Sequence, residues 1–220
     1  MSEQERDVPG GRAFLSAPQE PSSSSPPFSS SSPPACLLKK HYYVAVGSTA
    51  MKLLTLTNLL SALATQEPNL VAVLVCNSRD TLDEVVSALS KSEDYDCCFL
   101  HSDMHSGWRR RVLDNFNSNN ENTGSGMKIL LSSHVCLPRE EELKRSVRLL
   151  INYDIPMKKE HHLRRVSSCI GANNNGRRAI SINFLAANEV SMLKSLEAYA
   201  SQRIEEMPMI LSEIFQFPGN

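Results

Sequence analysis

The chain has 220 residues, 41% hydrophobic and 21% charged, with 23 Lys and Arg against 24 Asp and Glu for a formal net charge of −1. At about 150 residues per domain this leaves room for one domain with extensions. A near-neutral chain has no global field to draw it to nucleic acid or an acidic bilayer, so such binding needs a local patch. No apolar run approaches the roughly 18 residues of a spanning helix, which predicts a soluble protein with no membrane partner.

Residues 1–40 are predicted to be a disordered tail. The first 38 residues carry ten Ser and seven of the twelve Pro, too little apolar surface to offset the entropy of ordering. Met1 to Glu20 is polar, which excludes a signal peptide, and Glu3, Glu5 and Asp7 argue against an organelle transit peptide. Ser25-Pro26 and Ser32-Pro33 fit phosphorylation sites or a plain linker. Cysteines at 36, 76, 97, 98, 136 and 169 follow no disulfide framework, and no Asn-x-Ser/Thr sequon occurs. Free thiols in a reducing compartment, cytoplasm or nucleus, are expected.

Residues 41–217 read as one α/β domain. Strands are predicted at Tyr42–Val46, Leu70–Val75, Asp96–Leu100, Met127–Leu131, Val147–Tyr153 and Ala179–Leu185. Several are apolar at every position, as in central parallel strands covered on both faces by helices. Met51, Leu54, Leu59, Leu60 and Leu63 form one helical stripe. Leu82, Val85, Val86 and Leu89 form a second, with Asp80 as its expected cap, and Val190, Leu193, Leu196 and Ala200 a third. Trp108, Val112 and Phe116 are expected to face inward on a further helix. The Asn-rich segments Asn117–Gly126 and Ala172–Gly176 read as surface loops.

The chemistry-bearing motifs are weak one by one. Gly171-x-x-x-x-Gly176-Arg177-Arg178 copies the spacing of a P-loop, but Arg-Arg replaces Lys-Ser/Thr and a strand follows where a helix is needed, so an Asn/Gly turn is the better account. Cys98, His101, His105, His161 and His162 include good zinc ligands, yet no second CxxC or HxxxH completes a site, and no metal is expected. Arg109-Arg110-Arg111 fits either a phosphate-holding cluster or a solvated helix face. No nucleophile–base or paired-carboxylate arrangement can be placed by spacing, so no catalytic residue is assigned.

The ordered series is more specific. Val73-Leu74-Val75-Cys76-Asn77-Ser78-Arg79 resembles helicase motif IV, and Leu100-His101-Ser102-Asp103-Met104 resembles an M-H-G-D-M element. Asn115-Phe116, Leu150-Ile151-Asn152-Tyr153-Asp154-Ile155-Pro156, Ile182-Asn183-Phe184 and Ile204-Glu205-Glu206-Met207-Pro208-Met209 follow in order. From His41 to Phe217 the chain resembles the C-terminal RecA-like domain of DEAD-box RNA helicases, closest to the translation initiation factor 4A branch. The resemblance implies a RecA-like parallel sheet between helices. It also implies RNA-phosphate contacts from Arg79, Ser102, Arg109, Arg110 and Ser133.

The departures fall on the nucleotide side. Neither a P-loop nor a D-E-A-D tetrapeptide occurs in the chain. Motif V, S-T-D-x-x-A-R-G-x-D, falls on Ser132 to Glu141, where His134 replaces the nucleotide-facing aspartate. Motif VI, H-R-I-G-R-x-G-R, falls on Arg164 to Gly171, where Arg165 survives and Ser168 and Gly171 replace the two finger arginines. Ser102 and Ser106 replace a glycine and a glutamine of the family's RNA-facing segment. Loss of an arginine finger costs about 10³–10⁵ in rate. The expected function is therefore binding of single-stranded RNA, or of a protein that grips initiation-factor-type helicases, without ATPase activity and without a cofactor. DNA is not expected. Two alternatives stay open: a helicase half, using ATP, that acts in trans with a separate N-terminal domain, and a protein-recruitment module with no RNA role.

Overall fold

Seven parallel strands follow the chain as β1 (Leu38–Val46), β2 (Val71–Cys76), β3 (Tyr95–Leu100), β4 (Met127–Ser133), β5 (Leu149–Asn152), β6 (Ala179–Ala186) and β7 (Glu205–Glu206). They hydrogen-bond in the order β3-β4-β2-β5-β6-β1-β7. This is a computed structural model describing residues 38–118, 126–170 and 178–217. Most of the expected tail, residues 119–125 of the first Asn-rich loop and all of the second lie outside the described residues, as do Gly171 and Arg177, while Asn117 is the last residue of a helix.

Every position of β2, β4, β5 and β6 is buried, because helices cover both faces of a parallel sheet. On one face α1 (Thr49–Gln66) and α2 (Arg79–Leu89) pack with Ile214 of the C-terminal segment. On the other lie α3 (Ser106–Asn117), α4 (Lys159–Ile170) and α5 (Val190–Ala200). The α/β RecA-like architecture expected from the sequence is the one observed.

Several local expectations need correction. β1 opens at Leu38, three residues into the expected tail, and the acidic two-residue β7 carries no strand pattern. Ser78, not Asp80, caps α2, its hydroxyl accepting from the Thr81 N–H at 3.1 Å. In α1, Met51 and Leu54 are exposed, while Lys52, Leu56, Leu59, Leu60 and Leu63 are buried. The Lys52 ammonium lies 2.7 Å from Glu189, donates to the Tyr153 carbonyl at 3.3 Å and sits over the Tyr153 ring. Its polarity hid the true stripe. Val190 is exposed, so Leu196 and Ala200 carry the α5 contact. Trp108 is also exposed, and Leu113 packs with Phe116 in its place.

The α4 face of the sheet holds a buried polar line. The Arg165 guanidinium donates to Asn152 Oδ1 at 2.8 Å, and the Asn152 amide donates to Asn183 Oδ1 at 2.8 Å. Asn183 in turn donates to the Tyr42 carbonyl at 2.8 Å. Asn152 and Asn183 face each other in the β5–β6 register, so one chain of bonds crosses α4, β5, β6 and β1. Buried polar groups left unpaired cost about 1–3 kcal/mol each. Asn183→Leu strands the Asn152 amide and the Tyr42 carbonyl, so urea unfolding is expected to show a loss of about 2–5 kcal/mol; a loss below about 0.5 kcal/mol, typical of surface sites, would contradict this.

Candidate nucleotide-facing and RNA-facing site

The motif V and motif VI segments meet between β4 and α4. β4 ends in Ser133, and a single 3-10 turn, His134–Cys136, carries the chain to Pro138. Three contacts hold this segment against α4. Arg164 donates to the Val135 carbonyl at 3.2 Å, the Ser168 hydroxyl donates to the Pro138 carbonyl, and the His134 and His161 rings lie 4.1 Å apart, centroid to centroid. From the other side, Arg109 donates to the Cys136 carbonyl at 2.9 Å.

Arg165, the arginine retained in motif VI, is fully buried. Besides Asn152, its guanidinium donates to the Asp154 carbonyl at 2.6 Å and to Asn77 Oδ1. The Asp154 carboxylate accepts the Asn77 backbone N–H at 2.8 Å. These bonds join the carboxyl ends of β2 and β5 to α4. Burial lowers the Arg165 pKa to about 10, with the Asp154 charge opposing the shift, so the group remains charged at neutral pH. Both terminal nitrogens donate inside the protein, while the buried Nε–H has no hydrogen-bond partner. Ser168, which the resemblance puts at the first finger position, is buried against Pro138, and the Arg178 guanidinium lies over the ring of Phe217, which packs on the α1 face of the sheet, opposite α4.

The residues expected to hold RNA phosphates are divided. Arg79 binds Asp83 through Nε at 2.7 and 2.8 Å and reaches Asp103 at 3.2 Å. Arg109, besides its bond to Cys136, lies 3.6 Å from Glu142. Ser133 is buried, and its carbonyl accepts from the Ser132 hydroxyl. Ser102 is exposed, with its hydroxyl on Asp103 at 3.1 Å. Arg110 is exposed and, with Arg109 and Lys144, lines a cavity of about 370 Å³ that also takes in Asp114 and Glu142. The structure therefore gathers Arg109 and Arg110 on one helix, while Arg79 is neutralised by local acids. The Arg79–Asp83 pair at i,i+4 was readable from spacing; the Glu142 and Cys136 partners of Arg109 come from a distant loop and were not.

Three histidines close the site in their neutral form. His41 and His162 meet at a tilt on the α4 face, ring centroids 5.9 Å apart, and each, like His134, has a buried Nδ1 without a hydrogen-bond partner. Burial pulls His41 down to about 3, and burial with the nearby Arg165 charge pulls His134 and His162 to about 4. A group held below its unfolded value near 6.5 contributes stability that is complete above that value and fades as pH falls toward the folded one. The urea midpoint is expected to drop between pH 7 and pH 5, and to drop less in His162→Phe; an equal drop in both proteins would contradict the assignment. Among the described residues no group of three metal-ligating side chains converges, and the five described cysteines are free.

Comparison with known proteins gives this geometry a lineage. The profile of the helicase conserved C-terminal domain matches residues 51–170. The chain belongs to that family. The domain is 30% identical over 171 residues to the ATP-dependent RNA helicase eIF4A of Aspergillus niger, covering 78% of the chain and 39% of the relative. It stands in the same relation to eIF4A of Neurospora crassa. The chain thus spans about two fifths of the length of these curated relatives.

Solved structures carry the same fold. Escherichia coli DEAD-box protein SrmB, bound to regulator of ribonuclease activity A, superposes with a TM-score of 0.60 at 17% identity, covering 83% of this chain and 99% of that one. The C-terminal domain of Saccharomyces cerevisiae Dbp5, bound to Gle1 and IP6, gives 0.59 at 19% identity, covering 80% and 93%. Domain 2 of Mss116p, bound to an RNA duplex, gives 0.58 at 12% identity, covering 80% and 66%. The domain is a C-terminal RecA-like unit of the DEAD-box type.

The finger position gives a test of local structure. Ser168→Ala removes a buried hydroxyl and leaves the Pro138 carbonyl unpaired, which is expected to cost about 1–3 kcal/mol. It should also speed amide hydrogen exchange at Cys136 and Leu137. Unchanged exchange there would show that the bond does not hold the motif V segment.

Proposed function

We propose that this domain works by binding single-stranded RNA and hydrolyses no ATP by its own residues. The observation that carries the reading is the state of motif VI: Arg165 is buried on Asn77, Asn152 and Asp154, and the first finger position is Ser168, turned onto Pro138. Hydrolysis needs guanidinium groups at the transferring phosphoryl, and Arg165 can reach one only by abandoning buried partners. His134 in place of the ribose-facing aspartate supports the same conclusion.

The RNA reading rests on the exposed arginines of α3 and on the RNA named with related proteins, the Mss116p domain among them. With Arg79 and Arg109 largely engaged internally, binding should be weak and confined to two or three phosphates. On single strands each such contact changes the logarithm of affinity by about 0.7 per tenfold change in salt. A slope between about −1.4 and −2.1 is expected, and a flat response would overturn RNA as the ligand.

A protein partner is the second reading. Val135, in the segment after β4, and Met157, in the segment before α4, are 67% and 62% exposed, and SrmB and Dbp5 are both seen with protein partners. Mixing the full chain with an isolated N-terminal helicase domain and RNA tests the hydrolysis claim. No stimulated ATPase is expected at micromolar protein; RNA-dependent turnover lost in Arg165→Lys would contradict the proposal and favour a helicase half acting in trans.

A further inference from the structure

Trp108 is the chain's single tryptophan. It is the third residue of α3 and is 62% exposed. Burying such a ring is worth a few kcal/mol, yet the helix directs Leu113 and Phe116 into the core and leaves the indole in solvent. The neighbouring exposed residues, His105, Ser106, Gly107, Arg110 and Arg111, form no apolar patch. A protein hot spot sits at the centre of a desolvated apolar contact, which this isolated ring lacks.

The surroundings fit a different ligand. The Arg111 guanidinium lies 5.7 Å from the Trp108 ring centroid, giving the indole a cationic neighbour. A side chain built at Gly107 would meet nothing within 4 Å beyond its chain neighbours, so the surface at the start of α3 is open. Exposed Arg110 adds a second cation in the same turn. A flat aromatic surface flanked by guanidinium groups is what an unpaired nucleobase and its phosphates require, since every base has a π-face.

We propose that Trp108 is a stacking platform for one base of a single-stranded RNA, with Arg110 and Arg111 on the adjoining phosphates. The inference rests on the RNA reading above and adds to it base contact, where the residues carried by resemblance hold only the backbone.

The lone tryptophan makes the test direct. The full chain is titrated with a fluorescein-labelled ten-nucleotide single-stranded RNA, followed by anisotropy, and with the unlabelled strand, followed by tryptophan emission. Emission should be quenched with the same midpoint as the anisotropy change. Trp108→Ala should weaken binding about tenfold and Trp108→Phe by no more than about threefold, with unchanged thermal melting in both. An abasic strand of equal length should bind the wild type about as weakly as RNA binds Trp108→Ala. Binding with unchanged emission and full affinity in Trp108→Ala would overturn the platform and leave the RNA reading intact. Absence of binding by either readout would overturn both.

Discussion

The structure depends on one buried cation and the bonds it donates. Arg165 reaches from α4 to Asn77 beyond β2 and to Asn152 and Asp154 at the end of β5, and Asn152 passes the line on through Asn183 to β1. An arginine in the interior is held by the partners it does find, here at both terminal nitrogens though not at Nε, and losing the partners of a buried charge costs several kcal/mol. The requirement fixes the spacing of four parallel strands and the height of α4 on the sheet. Lys52 repeats the device on the opposite face, where its ammonium meets Glu189 and the Tyr153 carbonyl.

The same constraint separates structure from chemistry in motif VI. A guanidinium at full burial is a clamp, and it cannot also be a mobile group waiting for a phosphoryl. Through the Ser168 hydroxyl, α4 holds the segment that follows β4. Arg164 and the His134–His161 stack add to the closure. The scaffold of a RecA-like domain is therefore kept intact by residues that leave it no exposed guanidinium at the described finger position.

Much of the fold was legible in the sequence because its strands are buried on both faces and so read as unbroken apolar runs. What failed were positions where a polar group occupies the core or an apolar one the surface. Lys52 interrupted the α1 stripe, and Trp108 looked like core because burial is the usual place for indole. The family motifs located Asn152, Asp154 and Asn183 but could not say that they form one hydrogen-bonded line. Arg109 was placed correctly on its helix, and Arg79, read as the end of motif IV, is the first residue of α2; their engagement with Asp103 and Glu142 was hidden, because those residues lie on segments that no local pattern connects. Electrostatic neutralisation is a tertiary property, and only the fold displays it.

The central claim is that Arg165 is spent on the scaffold. A double-mutant cycle between Arg165→Met and Asn152→Leu, read by urea unfolding, measures that directly. Residues that share a network couple by about 0.5–3 kcal/mol, whereas independent sites add. The account requires a coupling of at least about 1 kcal/mol, with the double variant more stable than the two single losses sum to. Simple additivity would mean that the guanidinium is not held by Asn152, and would return it to the list of groups free to meet a nucleotide.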